Sequence, residues 1–432
     1  HFGGGEGEGP FDLELLRDPC DGLALLPGAS IAGALRNYWR EWRGGYGARD
    51  EGSDLFGSAR TSEADEGSQS LLIVDDAFGP APEVELRDGV KIKGDSRTAE
   101  AQKLFDMELL RAGTCLPLRF ELLVPEGRRE TLCRDLAIAL HGLEADEIGL
   151  GARKRRGLGR CRVKEWRVRR YDLTTRDGLL AWLAEGRDWA DRPVVPEVRS
   201  ASLAAALGVS LDDVPDRRRR FEIEAEFNLD GSLLVRSGAG QADLGPDAVH
   251  LHRPLFGARD DEPGQPLLPG TSLAGALRAR ALRIARALAA DDTKATALVD
   301  RIFGRGPEQK GDEGYTASRL VVHETVVEGT RTLVQSRIRV DRFTGGAMDN
   351  HLFSEAPVFG GKGSRLILHL VLRSPEQHEV GLLLQLLKDL WTGDLPLGGE
   401  SSVGRGRLRG LMALLAQVEG ELKSQWLSLI HI

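Results

Sequence analysis

The sequence predicts an α+β protein built as two tandem copies of one unit, and three observations carry that reading. LLPGASIAGALR (Leu25 to Arg36) recurs as LLPGTSLAGALR (Leu267 to Arg278), differing only at Ala29/Thr271 and Ile31/Leu273. Self-similarity of this kind decides an architecture. Further pairs follow in the same order: LFGS (from Leu55) with IFGR (from Ile302), SLLIVDDA (from Ser70) with SRLVVHET (from Ser318), and LGARKRRGLGR (Leu150 to Arg160) with LGGESSVGRGR (Leu397 to Arg407). Within each copy, strand-like runs (SLLIVDDA, FEIEAEFNL, RLVVHETVV, RLILHLVLR) alternate with helix-like ones (AGALRNYWREW, LAGALRARALRIARAL, EVGLLLQLLKDLW). That mixture is an α+β pattern.

The elements follow in order. The second copy opens on the amphipathic strand FEIEAEFNL, which has no counterpart before Pro27. The first copy is therefore expected to lack its first strand. Either the start is truncated, with His1 to Gly5 aligned to the Val235–Gly240 end of that strand, or another subunit supplies the strand at an open sheet edge. Next, Leu-Leu ends a strand, Pro-Gly turns the chain, and Ser30 or Ser272 stands at the expected N-cap of a helix of small residues. Lys91 to Glu108 pairs loosely with Arg339 to Glu355, and an apolar strand (LRFELLV or LILHLVL) follows each. Asp172 to Asp216 carries two short helical patterns around PVVPEV and reads as a connector. The expected division is 1–171, 172–216, 217–425 and a tail 426–432.

At 432 residues and 47.1 kDa the chain suits about two or three domains, and 41% hydrophobic with 29% charged residues is ordinary for a folded soluble chain. No run approaches the roughly 18 apolar residues of a membrane span, and HFGGGEGEGP has neither the basic nor the apolar region of a secretory signal. Cys20, Cys115, Cys133 and Cys161 lie far apart without a CxxC, against a zinc site or a disulfide scaffold. A cytoplasmic protein with no membrane partner is expected.

The net charge of −8 disfavours a polyanionic partner, but its distribution reverses that impression. RKRRGLGRCRVKEWRVRR (Arg153 to Arg170) holds a single acid, RRRR follows at Arg217 to Arg220, and Arg278, Arg280, Arg283 and Arg286 lie in one helix-like run. Such runs make either a nucleic-acid surface or a solvated face. At the Pro-Gly turns, the amides of Gly28 and Gly270, with Ser30, Ser272, Arg36 and Arg278, could hold a phosphate at a helix N-terminus; capping and packing alone are the alternative. In LGARKRRGLGR, Gly151, Gly157 and Gly159 can form amide nests beside Arg153, Lys154, Arg155, Arg156 and Arg160. The partner loop keeps Gly398, Gly399, Gly404 and Gly406 with Arg405 and Arg407, but replaces the basic run by Glu-Ser-Ser-Val. Neither loop matches a P-loop or a Rossmann fingerprint, and HExxH, GxSxG and a paired Cys and His are missing. His250 and His252 would share one strand face, as a two-His metal pair or as structural residues.

The duplicated Pro-Gly turn, FG step and late GxGR loop resemble the RAMP superfamily of CRISPR proteins. More closely, the chain looks like the backbone subunits of type III effector complexes with two copies fused, over nearly its whole length except the connector and tail. The resemblance implies tandem ferredoxin-like (RNA-recognition-motif-like) domains with hairpin insertions, lined up along a CRISPR RNA. It implies single-stranded target RNA and other type III subunits as partners. In such proteins a loop ahead of the turn carries an Asp needed for target cleavage. FDLELLRDPCDGLALLPG matches that pattern with Asp12, Arg17, Asp18, Gly22 and Pro27 in register, with Glu14 and Ala24 in place of prolines. Asp12 is then the expected general base or ligand to a divalent ion, Mg2+ or Mn2+. In HRPLFGARDDEPGQPLLPG two extra residues shift the Asp position onto His252, with Asp247 upstream as the substitute. A non-catalytic scaffold or capping subunit, a CRISPR RNA processing RAMP protein and a general single-strand RNA binder are the competing readings.

Overall fold

The computed structural model describes residues 11–49, 52–58, 67–92, 99–185, 194–237, 245–259, 262–289, 291–306, 314–419 and 422–428. The proposed alignment of residues 1–5 lies outside these. The described helices are α1 (Gly28–Gly44), α2 (Arg129–Glu144), α3 (Arg176–Glu185), α4 (Leu203–Leu207), α5 (Gly270–Leu288), α6 (Asp292–Phe303) and α7 (Gln377–Trp391).

The second domain displays the fold in full. Strict alternation in Arg220–Asp230 sends Phe221, Ile223, Ala225, Phe227 and Leu229 inward and leaves Glu222, Glu224 and Glu226 on the other face. This strand is central: it pairs antiparallel with Leu366–Arg373 on one side and with Arg407–Glu419 on the other. Leu320–Val322 and Leu422–Ser428 form the edges. The edge strand Leu422–Ser428 spans the boundary expected between domain and tail at residue 425. The order strand, α5, strand, strand, α7, strand, with the first strand beside both the third and the last, is the ferredoxin-like arrangement. Leu273, Leu277 and Ala281 of α5 and Leu383, Leu386 and Leu390 of α7 fill one core against the sheet's inner face. A capping box of Glu376 and Glu379 starts α7. The fully buried Glu379 also pairs with Arg301 and Arg319 at 2.8 Å, which satisfies its charge.

Among the described residues the first domain repeats this plan without the central strand. Leu72–Val74 pairs with Phe120–Leu122 as Leu320–Val322 pairs with Leu366–Arg373, and α1 and α2 cover them through Ile31, Leu35, Leu136 and Leu140. Among the described residues no strand joins Phe120–Leu122 to Trp166–Arg169. A groove of about 2670 Å³ lies between them, floored by Cys133, Leu136 and Leu140 of α2 and faced by Ile367 and His369 of the second sheet. The connector is packed against the first domain. Its strand Glu197–Ser200 pairs with Trp166–Arg169, Glu144 accepts from Leu203 N and Trp166 Nε1, and the buried Arg169 pairs with Glu185 and Glu197.

Each domain carries a long hairpin: Val84–Ile92 with Ala99–Leu110, and Gln335–Val340 with Ala347–Ala356. The second mixes charged and apolar residues, with Ile338 and Leu352 exposed and Phe343 at its turn 99% exposed.

Phe227 is fully buried and meets Trp391 edge to face at 5.7 Å. Phe227→Ala is expected to cost about 3–5 kcal/mol of stability, read from urea denaturation of the full chain.

Candidate nucleic-acid interface

The strand-to-helix turns place backbone on backbone. Pro27 (φ −62, ψ 135) and Pro269 (φ −67, ψ 141) are the N-caps, one step before the helices begin at Gly28 and Gly270. Ser30 and Ser272 therefore lie inside the first turn and cap nothing, a correction to the sequence expectation. Proline supplies the extended N-cap conformation by its ring, and glycine must follow it. A Cβ on Gly28 would stand 2.3 Å from Val74 O, and one on Gly270 2.5 Å from Val322 O. Of the two amides expected to cradle phosphate, that of Gly28 is engaged within the fold. Gly28 N donates to Asp76 Oδ1 at 2.6 Å, while Gly270 faces the Arg156 carbonyl, 2.3 Å from its ideal Cβ. Arg36 and Arg278 tie their helices to the FG steps, through Phe56 O and through Gly304 O with Asp300.

The two glycine loops share one conformation. Gly151 and Gly398 (φ 89 and 75), Arg153 and Glu400 (φ 54 and 58), Gly157 and Gly404 (φ 88 and 90), and Gly159 and Gly406 (φ 73 and 78) all occupy positive φ. A short helical turn lies between, Lys154–Arg156 in one loop and Ser401–Val403 in the other. The loops close through Leu150 N to Gly159 O at 2.8 Å and Leu397 N to Gly406 O at 2.9 Å.

Their side chains divide the work. Arg153 lies over the Phe105 ring at 4.1 Å, Arg155 donates to Ser318 O, and Arg156 Nη2 donates to Phe303 O at 3.1 Å. Lys154 is exposed, and Arg160 pairs with Asp146. Among the described residues, none of Arg153 to Arg156 forms an ion pair with a carboxylate. Burial lowers the pKa of all four, and cationic neighbours add to this for the last three. The second loop is anchored differently. Gly399 N donates to Leu234 O, and Arg405, 2% exposed, is held by Glu355 at 2.9 Å and Glu400 at 2.7 Å. Arg405 positions its loop, whereas Arg407 is exposed. Burial and the neighbouring Glu400 push the Glu355 carboxyl upward.

Several arginines of the other basic runs are paired within the fold. Arg218, 3% exposed, joins Asp216, Glu147 and the Tyr38 hydroxyl, and Arg220 pairs with Glu147 and Asp216. Arg280 pairs with Asp389 at 2.6 Å and Arg286 with Asp292.

Each loop carboxylate stands at the base of a hairpin. Asp12 Oδ2 accepts from Asp106 N at 3.0 Å, and Asp247 Oδ2 accepts from Ser354 N at 2.7 Å. Parallel bridges Leu13–Met107 and Ala248–Glu355 follow, and Leu25 N to Leu16 O matches Leu267 N to Leu251 O. Asp247 is therefore the counterpart of Asp12, and His252 that of Arg17. Between the matched positions Arg17/His252 and Leu25/Leu267 the second copy is seven residues longer, so this register differs from the one that put His252 at the Asp position. In this register Glu355 matches Met107, one residue before Glu108; Glu108 and Glu355, buried at 7% and 1%, hold Arg17 and Arg405. Sequence reasoning passed over this pair, although both close the loosely paired hairpin segments.

Both histidines spend Nδ1 on the backbone. His250 Nδ1 accepts from Val235 N at 3.0 Å, and His252 Nδ1 donates to His250 O at 2.7 Å. Among the described residues no group of three or more His, Cys, Asp or Glu could hold a metal ion.

Tandem ferredoxin-like domains, each with a glycine loop and an inserted hairpin, define a class of RNA-recognition-like repeat proteins. A family model of the RAMP superfamily matches residues 1–162 and 251–409, most of the chain and both repeats, and the protein belongs to that superfamily. Its members are CRISPR-associated RNA-binding proteins that work in complexes. No curated protein matches the chain. Among the described residues no helix is long and apolar enough to cross a membrane.

Burial, with the charge of His252, lowers the pKa of His250 to about 3, from the ordinary 6.5. Between these values the unfolded chain binds a proton that the folded chain refuses, so stability falls on acidification by up to about 1.4 kcal/mol per pH unit. His250→Asn, which keeps an acceptor for Val235 N, is expected to flatten the stability profile between pH 6.5 and 3, measured by urea denaturation across that range.

Proposed function

We propose that this chain is a backbone subunit of a type III CRISPR effector complex that grips the guide RNA and cleaves complementary target RNA at Asp12 and Asp247. The observation that carries the reading is the matched placement of these carboxylates, one at the base of each hairpin. A protein made to act on a periodic polymer needs the same group at the same place in every repeat.

The cationic turn Arg153 to Arg156 supports the polyanion. Uncompensated charge attracts phosphates, and the surrounding low dielectric strengthens the attraction. The hairpins support the strand's distortion, because apolar tips such as Phe343 can displace a base from a stack. An A-form duplex disfavours in-line attack of a ribose 2'-hydroxyl on the neighbouring phosphorus, and a displaced nucleotide permits it. The carboxylate would take the 2'-proton as the 2'-oxygen bonds to phosphorus and the 5'-oxygen leaves. The scaffold reading draws on the same hydrogen bonds, since Asp12 and Asp247 also hold the hairpin base.

In the assembled complex, Asp12→Ala and Asp247→Ala are each expected to slow one set of cuts by about 10²–10⁴-fold and spare the other, resolved on denaturing gels of end-labelled target. Undiminished cutting at every position by both variants would leave only the scaffold. Replacing Arg153 and Lys154 with alanine is expected to weaken RNA binding regardless of sequence. The slope of log affinity against log salt should fall by about 0.7 per cation lost, measured by fluorescence anisotropy.

A further inference from the structure

The second glycine loop lacks the basic run of the first, yet the fold gathers cations at its foot from other parts of the chain. Glu400 stands where the first loop has Arg153. Around it close Arg236 of the strand Arg236–Ser237, Arg337 of the second hairpin and Arg405 of the loop itself. Arg337 Nη1 and Arg405 Nε lie 3.2 and 2.7 Å from Glu400 Oε2, and Arg236 Nη2 lies 3.7 Å from Oε1. The same three guanidiniums reach Glu355, at 3.3, 2.9 and 3.9 Å for Arg337, Arg405 and Arg236. Among the described residues no third carboxylate pairs with them.

The two carboxyls are hydrogen-bonded to one another. Such a bond needs a proton, because two carboxylates in contact do not both ionise readily. Glu355 Oε1 and Glu400 Oε2 are buried and receive no hydrogen bond from a nitrogen donor. Burial, then the contact with Glu400, pushes the Glu355 carboxyl up; Glu400 is held low, against burial, by the bond from Glu355 and by Arg337 and Arg405. The proton therefore rests on Glu355, and the pair carries one negative charge. Three guanidiniums face it, so the cluster keeps a positive surplus, and would keep a smaller one with both carboxyls ionised. Arg405 is sealed inside, but the Arg236 and Arg337 side chains are 63% and 30% exposed.

We propose that Arg236 and Arg337 form an anion site of the second domain that takes a phosphate group, carried by a nucleic-acid strand or free in solution. Two guanidinium forks meeting beside one carboxylate offer paired N–H donors, the arrangement that phosphate oxygens accept best. A partly buried positive surplus is costly without a counter-charge, and an arriving phosphate supplies it. The first domain has no equivalent, since Met107 and Leu158 stand in the places of Glu355 and Arg405. Its cations sit in the turn Arg153 to Arg156 instead. Matching loops thus present positive charge by different routes, one from consecutive residues and one from three separate elements. The cleavage reading for Asp12 and Asp247 is not needed for this site.

The test uses the full chain, freed of RNA by nuclease, at pH 6. Inorganic phosphate is titrated by calorimetry, and a labelled oligouridylate by fluorescence anisotropy. Arg236→Gln and Arg337→Gln are each expected to weaken phosphate binding about tenfold, the loss of one charge-assisted hydrogen bond. Glutamine keeps much of the reach of each side chain, and circular dichroism checks the fold. Weakening of both ligands assigns the site to a strand, and weakening of inorganic phosphate alone assigns it to a free anion. Glu355→Gln keeps the fold and the charge of the one-proton pair, its amide donating to Glu400, and is expected to bind within about twofold of the wild type. Tighter binding by that variant would overturn the shared proton. A wild type that takes no phosphate, or arginine variants that take it equally well, would overturn the site.

Discussion

The architecture depends on backbone approaching backbone with no Cβ between. Helices α1 and α5 meet their neighbouring strands through Gly28 and Gly270, and the glycine loops close because Gly159 and Gly406 lie against the carbonyls of Leu150 and Leu397. The domains meet through Gly157. Any other residue at these points would drive a side-chain atom into a peptide group, at distances real Cβ atoms do not reach. The helix starts, the loop shape and the domain seam are thus consequences of one packing rule applied repeatedly.

Charge is distributed by a second rule. Most cationic runs that look like polyanion surfaces are consumed within the fold. Arg218 and Arg220 bind Glu147, Asp216 and Tyr38 where first-domain residues meet the second domain's leading strand. Burial pushes the Glu147 carboxyl up, but the two arginines and the tyrosine outweigh it and hold it below the usual range. The turn Arg153 to Arg156 differs because carbonyls and a ring, not carboxylates, receive it.

Duplication is also what makes the carboxylates interpretable. Asp12 alone is a residue bonded to one hairpin amide. Asp247 in the same relation to Ser354 turns it into a repeated feature of two hairpin bases. The sequence hid this because the first copy's turn follows the bridging residue Arg17 closely, whereas the second copy inserts extra residues after His252. Alignment from the conserved Pro-Gly turn backwards therefore drifts, and only the bridges Leu13–Met107 and Ala248–Glu355 restore the register.

By itself the sequence determined the duplication, the alternation of strands and helices, and the glycine positions, because these are local patterns of repeat, period and φ preference. It could not decide which amides and arginines face outward. That choice belongs to partners distant in the chain: Asp76 on Gly28, Glu355 on Arg405, and Ser318 and Phe303 on Arg155 and Arg156. Only the tertiary structure brings those groups together, and a cation's role depends on whether a carboxylate, a carbonyl or solvent stands opposite it.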